Sequence, residues 1–201
     1  WEGVFSNMYY RKGTIFFTAK LLCIAVALAP AFKMKFWNIG AEGQVLMGAL
    51  STAIVMVNFS TLSTPLLFTI MIVSSVVMGA IWGLIPAIFK AKWNVNETLF
   101  TLMMNYVAMQ LVDYYYNIWK GSKASLGMLN PGTKAGYLPE YNGSSNNIIV
   151  TVVLIITVLM YIYLKKTKHG YEIAVVGESE NTARYAGIDV KKVIIRTMLI
   201  S

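Results

Sequence analysis

Three polar side chains recur at intervals of four residues within an otherwise apolar stretch. Glu97, Thr101 and Asn105 have this spacing, which places them on one face of an α-helix. Hydroxyl and amide groups both donate and accept hydrogen bonds, so they suit a hydroxyl-rich or base-bearing solute. Lipid offers such a face no partner, so it must meet other helices or water. We predict that this face meets another helix or water.

A second polar cluster precedes an apolar run. Residues 36–44 read Phe-Trp-Asn-Ile-Gly-Ala-Glu-Gly-Gln and supply Asn38, Glu42 and Gln44 as further candidates for a functional site. A carboxylate at a membrane boundary is energetically costly, which makes Glu42 a functional candidate. The alternative is a loop at the membrane surface that polar residues terminate. The apolar run after it is short for a span, and it reaches full length only if part of Asn38–Gln44 enters the membrane as broken helix.

Other kinds of chemistry lack the residues they need. Cys23 and His169 are the only residues of their types, so neither a metal cluster nor a paired nucleophile and base is expected. Neither a G-x-x-x-x-G-K-[ST] loop nor a G-x-G-x-x-G motif occurs. We therefore predict no catalytic residue, no metal and no cofactor in this chain, and any ATP and magnesium would be bound by a partner. A channel is disfavoured as well, since no ring-forming pattern of charges is visible.

The composition is that of a membrane protein, with 57% hydrophobic and 13% charged residues. We predict an all-α polytopic bundle with about five full spans and the start of a sixth. The predicted spans are Thr14–Phe32, Gly43–Asn58, Pro65–Phe89, Asn96–Trp119 and Ile148–Leu164, and the sixth apolar run begins at Val193. Because the chain starts without methionine and stops within that run, residues 1–201 are predicted to be one transmembrane domain truncated at both ends.

The basic residues predict the orientation. One set of connections contains Lys33, Lys35, Lys90, Lys92, Lys165, Lys166, Lys168, Arg184, Lys191 and Lys192, whereas the other contains only Arg11, Lys12, Lys120, Lys123 and Lys134. Cytoplasmic loops carry the excess of basic residues, so residues 165–192 are predicted to be a cytoplasmic loop and residues 120–147 an extracytoplasmic one. The net charge of +8 reflects this asymmetry, and no nucleic-acid partner is predicted.

Two further patterns concern packing and contact with partners. Ser75, Gly79, Gly83 and Ala87 recur at intervals of four, which predicts a groove for close helix packing. In the loop 165–192, Gly177 precedes a short helix for which Asn181 is the predicted N-cap and Gly187 the terminator. Ala183, Ala186 and Gly187 would give that helix a small-residue face open to another protein, with Arg184 beside it. The alternative is an ordinary capped turn.

Three of these segments resemble one protein family in the family's own order. They are residues 36–48, residues 95–106 and residues 170–188. Together they resemble the permeases of bacterial ABC importers in the branched-chain amino acid and ribose permease superfamily, most closely the nucleoside and simple-sugar branch. In that family the segment matching residues 170–188 couples the permease to its ATPase, which makes Gly177, Asn181, Ala183, Arg184, Ala186 and Gly187 the coupling candidates.

The resemblance implies a transport subunit rather than an enzyme. The candidates for lining its substrate path or locking the gate are then Asn38, Glu42, Gln44, Glu97, Thr101 and Asn105, with hydrogen bonding between helices as the alternative for each. Its expected partners are a cytoplasmic ABC ATPase, a second permease subunit, an extracytoplasmic solute-binding protein and membrane lipid. The expected location is the bacterial cytoplasmic membrane, and the expected mechanism is alternating access driven by ATP hydrolysis in the partner. The expected solute is a nucleoside or simple sugar, with a branched-chain amino acid as the alternative.

Overall fold

The computed structural model describes residues 8–138 and 146–201, and its regular elements in those ranges are all α-helices. In chain order they are α1 (Met8–Lys33), α2 (Ala41–Asn58), α3 (Thr64–Trp93), α4 (Glu97–Lys120), α5 (Asn146–Lys166), α6 (Lys168–Glu178), α7 (Glu180–Tyr185) and α8 (Val190–Ile200). The all-α fold class is therefore confirmed.

Three described helices are long and apolar enough to cross a membrane, namely Arg11–Lys33 in α1, Thr64–Trp93 which is all of α3, and Asn147–Lys166 in α5. Much of their apolar surface lies on the outside of the chain, as lipid contact requires. In α5, for example, Leu159 is 59% exposed.

Local sequence signals set the helix ends. Pro65 occupies the first turn of α3, where its missing N–H costs nothing. Asn94 ends α3 in the left-handed conformation with φ 51°, and the Asn96 side chain then begins α4 by accepting a hydrogen bond from the Leu99 amide. The turn between α3 and α4 is therefore only three residues long, and Phe89 of α3 stacks on Phe100 of α4 beside it.

The helices pack as two groups joined at one end. α2 lies against α3 and α4, and α1 pairs with α5, while α8 packs on α3 and α1. The Lys33 ammonium donates a hydrogen bond to the Leu164 carbonyl, 3.2 Å away, which ties the end of α1 to the end of α5. The short helices α6 and α7 pack at this end of the bundle, where α1 and α5 finish, and we call it the closed end.

The largest core lies at this closed end. Its buried residues are Ala31, Met34, Phe36, Ala87, Ala91, Ile173, Val176, Ala183, Val190, Val193, Ile194 and Met198. A second core between α2, α3 and α4 contains Met47, Leu50, Trp82 and Ala108. A third, at the opposite end, contains Val55, Leu67 and Met71. The connection after α4 covers this third core, because the Asn130 side chain donates to the Met56 carbonyl at 2.7 Å.

The structure corrects several boundaries predicted from sequence. α2 begins at Ala41 rather than at Gly43, and residues 34–40 form a separate non-helical connection. Residues 168–178, predicted to be loop, form the helix α6, which Thr167 begins by accepting a hydrogen bond from the Gly170 amide. α8 begins at Val190, three residues before the predicted apolar run, because Asp189 caps it.

Candidate functional site

The connection between α1 and α2 buries every second side chain. Phe36, Asn38 and Gly40 are buried, whereas Trp37 and Ile39 are exposed. Asn38 is 2% exposed, and both ends of its amide are bonded: Oδ1 accepts from the Gly40 amide and Nδ2 donates to Gln44 Oε1, each at 2.9 Å. The predicted path residue Asn38 therefore holds its own connection in shape.

Asn105 joins α4 to the start of α2. Its Oδ1 accepts a hydrogen bond from the Gly43 amide at 2.8 Å, and its Nδ2 donates to the Ile39 carbonyl at 2.9 Å. The amides at the start of a helix have no partner within the helix, so the Asn105 side chain supplies one from a neighbouring helix. Thr101, one turn earlier and 1% exposed, packs against Gly40. We call Asn38, Gln44, Thr101 and Asn105 the amide cluster.

Gln44 connects the amide cluster to the small-residue groove of α3. A Cβ placed on Gly83 would lie 2.3 Å from the Gln44 side-chain nitrogen, and one placed on Gly48 would lie 3.0 Å from the Ser75 hydroxyl. α2 and α3 therefore approach closely at Gly83 and Gly48. At Gly79, the other glycine of the predicted stripe, an added Cβ would meet nothing nearer than the Gln44 carbonyl oxygen at 3.9 Å.

The two carboxylates proposed for the path lie outside this cluster. Glu97 forms an ion pair with Lys90 at 2.9 Å across the turn between α3 and α4, and its side chain is 14% exposed. Glu42 is exposed, whereas its neighbour Gly43 is buried. Four of the six predicted path residues are brought together, and Glu97 and Glu42 are not among them. In the described part of the chain, no group of three His, Cys, Asp or Glu side chains could hold a metal ion.

Trp82 is the residue of this site that the sequence did not reveal. It is 9% exposed, and its indole nitrogen is buried without a hydrogen bond among the described residues. A Cβ on Gly43 would meet that nitrogen at 3.0 Å, so the indole borders the amide cluster. The sequence signal that could have indicated Trp82 is its position next to Gly83, which is a residue of the small-residue groove.

The predicted coupling helix exists as α7, but its start differs from the prediction. Ser179, not Asn181, is the N-cap, because the Ser179 hydroxyl accepts the Thr182 amide. The predicted terminator is confirmed. Gly187 has φ 76°, its amide bonds to the Arg184 carbonyl, and the Ile188 amide bonds to the Ala183 carbonyl. This is the Schellman arrangement that favours glycine.

Two of the predicted coupling residues face inward. Ala183 is fully buried in the largest core, so the predicted small-residue face is wrong at this position. Gly177 is buried against the end of α1, where an added Cβ would lie 2.2 Å from the Lys33 carbonyl oxygen. Asn181, Arg184, Ala186 and Gly187 are exposed.

Tyr185, between the exposed coupling candidates, is 93% exposed. An aromatic side chain so exposed at the end of a helix offers a large contact area to another protein. Sequence reasoning did not select it.

A histidine joins α6 to the end of α5. The His169 Nδ1 atom is hydrogen-bonded to the Tyr163 hydroxyl, and Nε2 is buried without a hydrogen bond of ordinary geometry among the described residues. Burial lowers the pKa of His169, as does the positive charge of Arg196, while Glu172 and the backbone of Val193 act in the opposite direction. His169 is therefore held neutral at neutral pH.

This histidine predicts a loss of stability in mild acid. Because the folded chain lowers the pKa of His169, the unfolded chain binds a proton first, and stability falls as pH drops through the ordinary histidine value of about 6.5. We expect the thermal midpoint of the detergent-solubilised protein to decrease as the pH is lowered from ~7.5 to ~5.5. The substitution His169→Asn should make the thermal midpoint less dependent on pH. An equally steep pH profile in His169→Asn would contradict the assignment.

The described helices define an α-helical membrane protein. The chain belongs to the family of branched-chain amino acid transport system permease components, whose family model matches residues 12–201. The resemblance read from the three sequence segments is thereby confirmed. A comparison with solved structures gave no match.

The curated relatives are permeases of ABC transporters. A guanosine ABC transporter permease from Bacillus subtilis is 30% identical over 208 aligned residues, which cover 100% of this chain and 59% of the relative. A glucose ABC transporter permease from Haloferax volcanii is 31% identical, covering 90% of this chain and 50% of the relative. A nucleoside ABC transporter permease from Lactococcus lactis is 28% identical, covering 90% and 52%. The chain thus spans little more than half the length of these relatives.

Proposed function

We propose that this chain belongs to the permease subunit of an ATP-driven ABC importer that carries a nucleoside or a simple sugar. The observation that carries the proposal is the match of the whole chain to a guanosine permease, together with its similarity to a nucleoside and a glucose permease. None of these relatives is named for a branched-chain amino acid, although the description of the family names that class of solute. The solute class is therefore proposed from the relatives.

The importer needs partners, because the chain has no phosphate-binding loop of its own. We propose that a cytoplasmic ABC ATPase docks on α7 and binds ATP and magnesium, with Asn181, Arg184, Ala186 and Gly187 at the contact. Their exposure beside Tyr185 supports this assignment. A second permease subunit and an extracytoplasmic solute-binding protein complete the proposed assembly.

Gly177 and Ala183 have a different proposed part in coupling. Both are buried against the rest of the chain, Gly177 on α1 and Ala183 in the core shared with α8. We propose that they transmit movement of α7 to the spans rather than touch the ATPase. Tightly packed contacts transmit displacement because cores deform little.

The amide cluster is proposed to lock the inner end of the solute path. Asn38 and Asn105 each use both ends of their amides within the chain. Thr101 packs against Gly40 before α2, and Gln44 packs against Gly83 of α3. Separation of α2 from α4 would break both hydrogen bonds of Asn105 and expose its amide, the Gly43 N–H and the Ile39 carbonyl to the path, where a solute could bind them. Glu97 and Glu42 are proposed to lie at the edge of that path.

We propose that α2 and α4 also cross the membrane, which gives five spans with α8 beginning a sixth. α4 supports this by its length of 24 residues, enough for about 30 Å of hydrocarbon. The basic residues favour a cytoplasmic location for α6 and α7 and an extracytoplasmic one for the connection after α4. The proposed location is the cytoplasmic membrane of a prokaryote.

The test is uptake by cells that lack the gene and by cells that carry its intact full-length form. Labelled guanosine, glucose and leucine are supplied separately. We expect uptake of guanosine or glucose to depend on the gene. The matched control inactivates the partner ATPase by substituting the lysine of its phosphate-binding loop, which should abolish that uptake.

Each result has one meaning. Gene-dependent uptake of leucine alone would replace the proposed solute with a branched-chain amino acid. Gene-dependent uptake that persists with the inactive ATPase would indicate a channel or facilitator and contradict the importer. Unchanged uptake of all three solutes would contradict the proposed solute class.

A further inference from the structure

A cavity of about 330 Å³ lies where α6 meets the start of α8. Its wall includes the charged side chains of Lys168, Glu172, Asp189, Lys192 and Arg196. The three cationic groups outnumber the two carboxylates. The cavity is separate from the amide cluster. Its wall also includes Ala186 and Gly187, so it borders the surface proposed above to contact the ATPase.

Each carboxylate of the cavity already has a lysine partner. Lys168 lies 3.9 Å from Glu172, and Lys192 lies 3.2 Å from Asp189. Arg196, in contrast, forms no ion pair with any described residue. Its guanidinium is the unmatched positive charge of this wall, and its charge adds to the effect of burial in lowering the pKa of His169.

The position of the cavity in the fold points to the membrane surface. α5, a candidate span, ends at Lys166, and the cavity wall begins two residues later at Lys168. The apolar surface of α5 next to this end is exposed, with Tyr161 59% and Ile162 48% exposed. An arginine at such a boundary extends its charged end to the level of the lipid phosphates while its stem stays among apolar groups.

We propose that this cavity binds the phosphate of an anionic phospholipid. The Arg196 guanidinium has the planar array of donors that fits phosphate oxygens, and Lys168 and Lys192 add positive charge at the rim. The exposed apolar face of α5 would accommodate the acyl chains. Basic pockets between helices on the cytoplasmic side are suited to anionic headgroups. The proposal rests on the orientation proposed above, but not on the identity of the solute.

The test uses the complete importer with its partner subunits in nanodiscs of phosphatidylcholine, with and without phosphatidylglycerol. Phosphatidylglycerol retained after detergent extraction is counted by native mass spectrometry. We expect Arg196→Gln to weaken retention about tenfold, which corresponds to one charge-assisted hydrogen bond. The control is Lys191→Gln, which removes the same charge from an exposed residue of α8 outside the cavity wall and should leave retention unchanged.

Further measurements distinguish a lipid phosphate from a soluble phosphate, and a bound lipid from a contact with the ATPase. Excess inorganic phosphate should not displace the lipid, and displacement would assign the cavity to a soluble phosphate and overturn the lipid assignment. Equal retention in Arg196→Gln and the unmodified importer would overturn it too, as would an equal loss in Lys191→Gln. If Arg196→Gln keeps its lipid but loses the ATPase on purification, the cavity is a partner contact instead. Solute uptake, measured separately, reports on the transport proposal.

Discussion

Gly177→Ala will strongly destabilise the closed end of the chain. The added methyl carbon would lie 2.2 Å from the Lys33 carbonyl oxygen and 3.2 Å from the Met34 Cα. Those atoms belong to backbone, so the clash is relieved only by moving α6 away from the end of α1. Overpacking a tight site costs ~1–3 kcal/mol, and a backbone contact this short puts our expectation at about 3 kcal/mol of unfolding free energy. Unfolding of the detergent-solubilised protein measures this loss.

Gly13→Ala is the matched control. Gly13 lies within the helix α1, and a Cβ placed there meets nothing within 4 Å. The same substitution there should be neutral or should stabilise by up to about 1 kcal/mol, because alanine is the better helix former. A Gly177→Ala protein as stable as the parent would show that α6 does not pack against α1 as described.

Much of the helical order follows from the sequence alone. The starts of α3 and α4 could be predicted because Pro65 and Asn96 act on the backbone within a few residues of themselves. The end of α3 could not, since the helix continues to Trp93, four residues beyond the predicted Phe89, before Asn94 ends it. The small-residue groove of α3 could also be predicted, since glycines four residues apart on an apolar helix have little use other than close packing. Such signals are local and have few physical alternatives.

The segment between α5 and α8 could be predicted less well. Ser179 and Asn181 are both good N-caps, and their ranking depends on which start lets Ala183 enter the core. α6 carries buried residues at Gly170, Ile173 and Gly177, a helical spacing in a segment polar enough to suggest loop. Whether this segment is helix or loop depends on its tertiary contact with α1, and sequence spacing cannot show that contact.

The amide cluster illustrates the same limit at the site. Spacing placed Glu97, Thr101 and Asn105 on one face of α4, and the structure confirms that Thr101 and Asn105 both turn inward. Spacing could not show that Asn105 bonds to the backbone of another segment, 62 and 66 residues away in the chain. Spacing also could not show that Glu97 lies outside the cluster, where it forms an ion pair with Lys90 across a short turn.

Asn105→Ala will cost about as much as the glycine substitution, for a different reason. It removes the acceptor of the Gly43 amide and the donor to the Ile39 carbonyl, so two polar groups of the backbone lose their partner. Asn105 is 5% exposed, and an unsatisfied buried group costs ~1–3 kcal/mol. We expect a loss of about 3 kcal/mol in unfolding free energy and reduced uptake by the intact importer.

Asn117→Ala serves as the control on the same helix. Asn117 is exposed, and its amide donates only to the Asp113 carbonyl one turn earlier, so the expected loss is below about 0.5 kcal/mol. Equal stability of the two alanine variants would contradict the bonds assigned to Asn105.

Asn105→Asp separates the two bonds of that side chain. An aspartate oxygen can still accept from the Gly43 amide, but a carboxylate cannot donate to the Ile39 carbonyl and would repel it. If the acceptor bond alone held the start of α2, the only loss would be the cost of burying the carboxylate. Because the Ile39 bond closes the connection before α2, we expect Asn105→Asp to be destabilised as well.

A lock also predicts a loss of transport at temperatures where the variant remains folded, since α2 and α4 would separate without the ATPase. Full coupled uptake by a folded Asn105→Asp importer would leave the cluster a purely structural role.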